Sequence, residues 1–218
     1  MHKNIKLKKQ HHCLICFNSL MHDSGFETFV SRCDYICNKC AQNFKIIDYK
    51  QNFKNISIWF LYQYNEFARK LVYQYKGCYD IELCKVFLDL YLSKLKKKYK
   101  DHYIIYPPSN KKDNLVRGFN HIQEIAKQIN NNVFDIFYKK EEMKQSNATL
   151  QNKKLIKNII KIKDCDFLNN KKILLLDDIY TTGNTIKTCI NLIFEKVRQI
   201  QDFSVVCIFK TQAKSVEL

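Results

Sequence analysis

The stretch ILLLDDIYTTGNT, Ile173 to Thr185, runs from four aliphatic residues into two adjacent carboxylates and a turn rich in threonine and glycine. Like charges side by side repel, so an apolar strand that ends in Asp177 and Asp178 needs a reason. In an open parallel sheet, ligands bind beyond the carboxyl ends of the strands. A turn that opens a helix there presents backbone N–H groups and a helix dipole, which favour a phosphate. Thr181, Thr182 and Thr185 add hydroxyl donors, Asn184 adds an amide, and Gly183 lets the backbone approach closely. The two aspartates can accept hydrogen bonds from sugar hydroxyls or hold a hydrated Mg²⁺. Phosphate, diol and metal in a row describe a phosphorylated ribose. No G-K-[ST] is present, which excludes a Walker-type phosphate loop.

A second constellation is made of cysteines. HHCLIC holds Cys13 and Cys16, and CDYICNKC holds Cys33, Cys37 and Cys40. The C-x-x-C pairs Cys13/Cys16 and Cys37/Cys40 stand about 20 residues apart, a spacing that suits a zinc ribbon. Each pair offers two thiolates on one side of a tight loop, and two such loops complete a tetrahedron. Four thiolates leave no open position, so the expected zinc is structural. Cys33 is a fifth candidate, and His11, His12 and His22 lie close enough to compete. The alternative is a set of buried or redox cysteines. Ten cysteines in all, without an export signal, argue for metal ligands and core residues over disulfides.

Other segments must position these groups. Residues 52–76 read as a strand or loop and a short helix, whose aromatic residues suit a core or, alternatively, stacking on bases. Apolar residues at Cys84, Phe87, Leu88, Tyr91 and Leu95 predict one amphipathic helix over 81–99. HYIIYPPS predicts a strand ending in a proline turn, and RGFNHIQEIAKQI predicts a helix over 117–129. VFDIFYKK predicts another strand, and 141–158 reads as a polar mobile loop. KKILLLDD reads as a strand buried on both faces, because its apolar residues do not alternate. The following helix, 184–200, should turn Ile186, Ile190, Ile193, Phe194 and Val197 inward, and SVVCIFKT is a last strand. Strands alternating with helices predict an α/β fold with a parallel sheet.

The composition sets bounds. With 46% apolar residues the chain can bury a sizeable core. No apolar run reaches the roughly 20 residues of a membrane-spanning helix, and the charged N-terminus lacks the apolar stretch of a secretory signal. A cytoplasmic protein is expected. The net charge of +16 suits a polyanionic partner. Only four of the 37 basic residues are arginine, however, and a Lys/Asn/Ile-rich composition yields such a charge without selection for nucleic acid.

The 173–185 stretch resembles the phosphoribosyl-pyrophosphate (PRPP) motif of type I phosphoribosyltransferases. Beyond it, the order of the two C-x-x-C pairs, Tyr75-Lys76-Gly77, a strand ending in Pro107-Pro108, Arg117-Gly118-Phe119-Asn120 and this motif resembles the ComF (ComFC) family. The resemblance implies a zinc-finger module over 1–48, a helical connecting or hood segment over 49–100 and a phosphoribosyltransferase-like domain over 101–218. It implies a pyrophosphate loop at Ser109, Asn110, Lys111 and Lys112, and a mobile loop over 141–158. Lys153, Lys154 and Lys157 stand ahead of Asn158 where the family carries an arginine, so Lys153 and Lys154 are the candidates for neutralising a leaving pyrophosphate. Lysine keeps the charge but lacks the planar fork of arginine. Thr181 stands where hypoxanthine-type transferases carry a base-contacting acid, so purine salvage is not implied. The implied function is uptake of single-stranded DNA into the cytoplasm during natural transformation, with Mg²⁺-PRPP, single-stranded DNA and DNA-uptake proteins as partners and peripheral association with the inner membrane. The alternative is an active phosphoribosyltransferase with an unidentified acceptor and no link to DNA.

Overall fold

The structure is a computed structural model and describes residues 12–20, 33–140 and 159–212. Its centre is a six-stranded sheet in the order β1-β2-β8-β7-β3-β4. The strands are β1 (Ile46–Phe53), β2 (Ile56–Gln63), β3 (Tyr103–Ile105), β4 (Val133–Phe134), β7 (Lys171–Tyr180) and β8 (Ile200–Lys210). From β2 to β4 every neighbouring pair is parallel, and only the edge pair β1–β2 is antiparallel. Lys54 and Asn55 join that hairpin with φ of 48° and 63°, the positive values that a tight two-residue turn demands. A separate two-stranded ribbon pairs β5 (Phe137–Lys140) with β6 (Ile159–Ile162).

β7 is the central strand, and Ile173 to Leu176 are fully buried. Leu174 and Leu176 face one apolar layer while Ile173 and Leu175 face the other. Both faces are covered, which is why the run is continuously apolar. The first layer holds the cysteine segment with its short helix α1 (Asn38–Ala41), α2 (Glu66–Gly77), α3 (Leu92–Tyr99) and α5 (His121–Lys127); the second holds α6 (Asn184–Lys196).

Several elements depart from the sequence pattern. The helix expected over 81–99 is two 3₁₀ turns, Ile81–Lys85 and Asp89–Tyr91, followed by α3. Leu83, Cys84, Val86, Phe87 and Leu88 are all buried, more than one helical stripe can hide, and the tighter turns accommodate them. The helix expected from Arg117 begins instead at His121. Arg117 closes α4 (Lys111–Arg117), Gly118 breaks the chain at φ 82°, and Asn120 caps α5 through the amides of Ile122 and Gln123. VFDIFYKK is split between β4 and β5, so it serves two sheets. Phe194 is 52% exposed instead of inward, and α6 ends at Lys196 because Val197 is extended.

The cysteine segment is docked on the first layer by one buried carboxylate. Asp89 accepts the backbone N–H groups of Asp34 (3.1 Å), Tyr35 (2.9 Å) and Ile36 (3.1 Å). Burial raises its pKa, and these three donors offset only part of the rise. Phe44 adds ring contacts to Tyr62 and Phe67 at 4.8 and 5.1 Å, and Asn65 joins in by capping α2 while donating to the Asn43 carbonyl. Removing Asp89 strands three amides in an apolar setting. Asp89→Ala is expected to cost about 3 kcal/mol. That is a fall of roughly 6–12 °C in Tm for a chain of this size, measured by thermal denaturation. Asp89→Asn, which keeps an acceptor oxygen, should lose about half as much.

Candidate functional site

Asp177 and Asp178 lie within β7, on opposite faces of the strand near its carboxyl end. Each carboxylate ties down the next peptide: Asp177 Oδ1 accepts Asp178 N–H at 2.9 Å, and Asp178 Oδ1 accepts Ile179 N–H at 2.8 Å. Asp178 is only 7% exposed and forms an ion pair with Lys76 from the last turn of α2. His121 Nε2, at the start of α5, lies 3.5 Å from the same carboxylate.

These surroundings drive the two acids apart. Burial and the negative charge on Asp178 push Asp177 well above the carboxylate range. Burial also raises Asp178, but Lys76, His121 and the Ile179 amide outweigh it and the net direction is downward. Burial lowers the pKa of His121 to about 4, with Lys76 and Arg117 adding to the fall and Asp178 opposing it. A neutral imidazole brings no net charge at pH 7, so Lys76 is the group that keeps Asp178 ionised. Two neighbouring acids with one lysine, paired to Asp178, favour one carboxylate over two.

Beyond Tyr180 the chain turns into α6. Gly183 has φ 77°, and a Cβ there would collide with the Tyr180 hydroxyl. The position therefore needs glycine on two counts. Thr181, Thr182, Asn184 and Thr185 are exposed around it. No side chain caps α6, so the amides of its first turn face outward beside the threonine hydroxyls. The Tyr180 carbonyl accepts the Thr211 N–H at 3.0 Å, which fixes the turn to the end of β8. The turn has the donors and the local dipole to hold a phosphate.

Ser109, Asn110, Lys111 and Lys112 follow the buried Pro107 and Pro108. Asn110 caps α4 by accepting the Lys112 N–H at 2.9 Å, and Ser109 bonds Asn114 at 2.5 Å. All four line a cavity of about 450 Å³ whose far wall includes Tyr138, Lys139 and Lys163. Four lysines against the single carboxylate of Asp135 make it an anion-attracting space. Lys153, Lys154, Lys157 and Asn158 lie outside the described residues.

The cysteines form a separate centre. The Sγ atoms of Cys13, Cys16, Cys37 and Cys40 lie within 4.8 Å of one another, with Cys16 and Cys37 at 3.6 Å. Four sulfurs at about 2.3 Å from a tetrahedral zinc stand about 3.8 Å apart, so the cluster fits that ion. Burial raises the Cys13 thiol, but the amides of Cys16, Cys37 and Ile15 bring its pKa down to about 7, while burial keeps Cys40 high. Four thiolates together need a cation. Cys33 is not in the group: burial and the neighbouring Asp89 raise its pKa to about 12. His12 is occupied with the Phe17 carbonyl at 3.1 Å, and His11 and His22 lie outside the described residues.

The sequence pattern missed His121 and Asp89. His121 sits one residue after a helix-capping asparagine, the only local signal it has. Asp89 carries no local signal, because its partners lie more than 50 residues away.

Together these features define an α/β protein with a mostly parallel sheet that carries a four-cysteine, zinc-finger-like module. The chain is 31% identical over 147 residues to "Competence protein ComFC" of Streptococcus pneumoniae, covering 67% of this chain and 66% of that protein. It is 27% identical over 138 residues to "Competence protein ComFC" of Bacillus subtilis, covering 62% and 57%. The chain is thus similar to ComFC competence proteins over about two thirds of its own length. It spans slightly less than two thirds of the first of these relatives and somewhat over half of the second. No family model matches the chain. Among solved structures, a hypoxanthine phosphoribosyltransferase from Staphylococcus aureus aligns at 15% identity and TM-score 0.38, over 62% of this chain and 69% of that one. A purine phosphoribosyltransferase from Pyrococcus horikoshii aligns at 14% identity and TM-score 0.35, over 56% and 71%. Likenesses of that degree carry nothing about ligand.

Elemental analysis of protein purified without chelator should find one zinc per chain. Serine at both Cys37 and Cys40 should reduce it below about a tenth, since two thiolates of four are lost. Full metal retention by that variant would contradict the assignment.

Proposed function

We propose that the chain binds Mg²⁺-PRPP at the end of β7 and acts in the uptake of single-stranded DNA during natural transformation. The carrying observation is the adjacent pair Asp177 and Asp178, the second of them buried, beside the hydroxyl-rich start of α6. In this reading Thr181 to Thr185 take the 5-phosphate on N–H and O–H donors. Asp178, ionised against Lys76, accepts from the ribose diol, and Asp177 stands beside it. The pyrophosphate falls toward Ser109 to Lys112, where the lysine-lined cavity suits its charge. Mg²⁺ supplies charge neutralisation on the pyrophosphate when bound.

The relatives are named as competence proteins, and that supports the cellular role. The net charge of +16 supports contact with a polyanion, with DNA-uptake proteins as further partners. Among the described residues no helix is long and apolar enough to cross a membrane. A cytoplasmic location, peripheral to the inner membrane, accords with this role.

Catalysis is the second reading, and the lysine-lined cavity favours it. Pyrophosphate would depart there as C1 of the ribose becomes positive, with the protein contributing alignment and electrostatics. Lys153 and Lys154 are the candidates for meeting the departing oxygens.

Calorimetric titration separates these outcomes. The wild type should bind PRPP more tightly with Mg²⁺ than without, and the D177N/D178N variant should bind at least about 100-fold more weakly, the loss of charge-assisted hydrogen bonds. Unchanged binding by that variant would place the site elsewhere. Release of pyrophosphate during incubation would establish turnover over binding alone. Binding of an oligo-dT strand should weaken steeply with added salt; an interaction insensitive to salt would remove the DNA part.

A further inference from the structure

Of Arg117-Gly118-Phe119-Asn120 only Asn120 borders the lysine-lined cavity, yet every residue of the stretch bears on one side chain. Gly118 turns the chain at φ 82° with open space where a Cβ would be, so conformation and not crowding selects glycine. Phe119 packs on the Tyr75 ring at 5.4 Å, one residue before Lys76. Asn120 caps α5 and so fixes its first residue, His121. The Tyr75 hydroxyl donates to the His121 carbonyl at 2.6 Å.

Arg117 completes the arrangement. Its Nε donates to the Lys76 carbonyl at 3.0 Å, and its Nη1 lies 3.2 Å from His121 Nδ1. A guanidinium has donors only, so Nδ1 must offer its lone pair. The ring proton is then on Nε2, the nitrogen that lies 3.5 Å from Asp178 Oδ2. A doubly protonated ring would set two N–H groups head to head.

We propose that His121 is a positioning residue for Asp178: Arg117 holds it neutral as the Nε2–H tautomer, and its proton orients the carboxylate while Lys76 holds the charge. The proposal rests on Asp178 being the ligand-binding carboxylate. The groups facing His121 are Asp178 from β7, Lys76 from α2 and Arg117 from α4, and Asp178 Oδ1 is held in turn by the Ile179 N–H. Histidine here acts through its shape and one N–H, not through titration, and glutamine can imitate both.

Two measurements test it. Imidazole ¹⁵N NMR of the ligand-free protein should show His121 as a neutral Nε2–H tautomer from pH 8 down to about 5.5, and Arg117→Lys should lose that signature. A ring protonated at Nδ1, or one that titrates between pH 6 and 7, would overturn the proposal. In PRPP titrations His121→Gln should bind within roughly threefold of wild type and His121→Leu about tenfold or more weakly, both with wild-type zinc content. Equal binding by His121→Leu and wild type would also overturn it. The NMR result needs no ligand. An Nε2–H ring in a protein that binds no PRPP would therefore sink the site assignment while keeping the link from His121 to Asp178.

Discussion

A carboxylate buried at the end of a central strand must find a cation or give up its charge, and that constraint organises this protein. Asp178 is met by Lys76 from the end of α2 and by His121 from the start of α5. Lys76 can reach it only if the last turn of α2 stands over the end of β7. His121 can reach it only if α5 begins at Asn120. The two helix termini are joined in turn by Arg117, which touches Lys76 and His121 at once. Removing one member would leave another charged or polar group buried without its partner, which is the expensive case. The same helix, α2, meets the cysteine segment at its other end through Asn65 and Phe67. One helix thus bridges the metal-binding centre and the acidic pair.

The two centres use opposite solutions to the burial of charge. At β7 the protein supplies its own cation, so the site is organised before any ligand arrives. In the cysteine cluster no side chain among the described residues does so, and a bound metal such as zinc could supply the charge. The start of α6 is left uncapped beside an αL glycine. An anion there would displace only the long 3.5 Å contact between the Asn184 N–H and Thr182 Oγ1.

Local features were legible in the sequence. β7, the turn after it and α6 follow from an unbroken apolar run, two acids and a glycine, because each is set by neighbours in the chain. The four cysteines were legible because two tight loops place pairs of thiols. Long-range pairing was not. Lys76 carried only a family likeness, and its meeting with Asp178 needs α2 folded onto the sheet. Asp89 reads as one polar residue in an apolar segment, and its partners are the amides of Asp34 to Ile36. The 3₁₀ turns over 81–91 arose because burial on more than one side outweighed helical periodicity. Phe194 lies exposed because its side of α6 is only partly covered, its ring meeting Phe203 at 5.3 Å. β1 was unseen because its side chains are mostly exposed and offer no apolar run.

In the proposed binding mode, the amides opening α6 receive a sugar phosphate beside Asp178. Amide NMR of the zinc-loaded protein titrated with ribose 5-phosphate reads this most directly. The largest shifts are expected at Asp178 and from Thr181 to Ile186, with little change at the cysteine cluster. Shifts confined to the α2 face that carries Arg69 and Tyr73, with α6 unmoved, would contradict that binding mode.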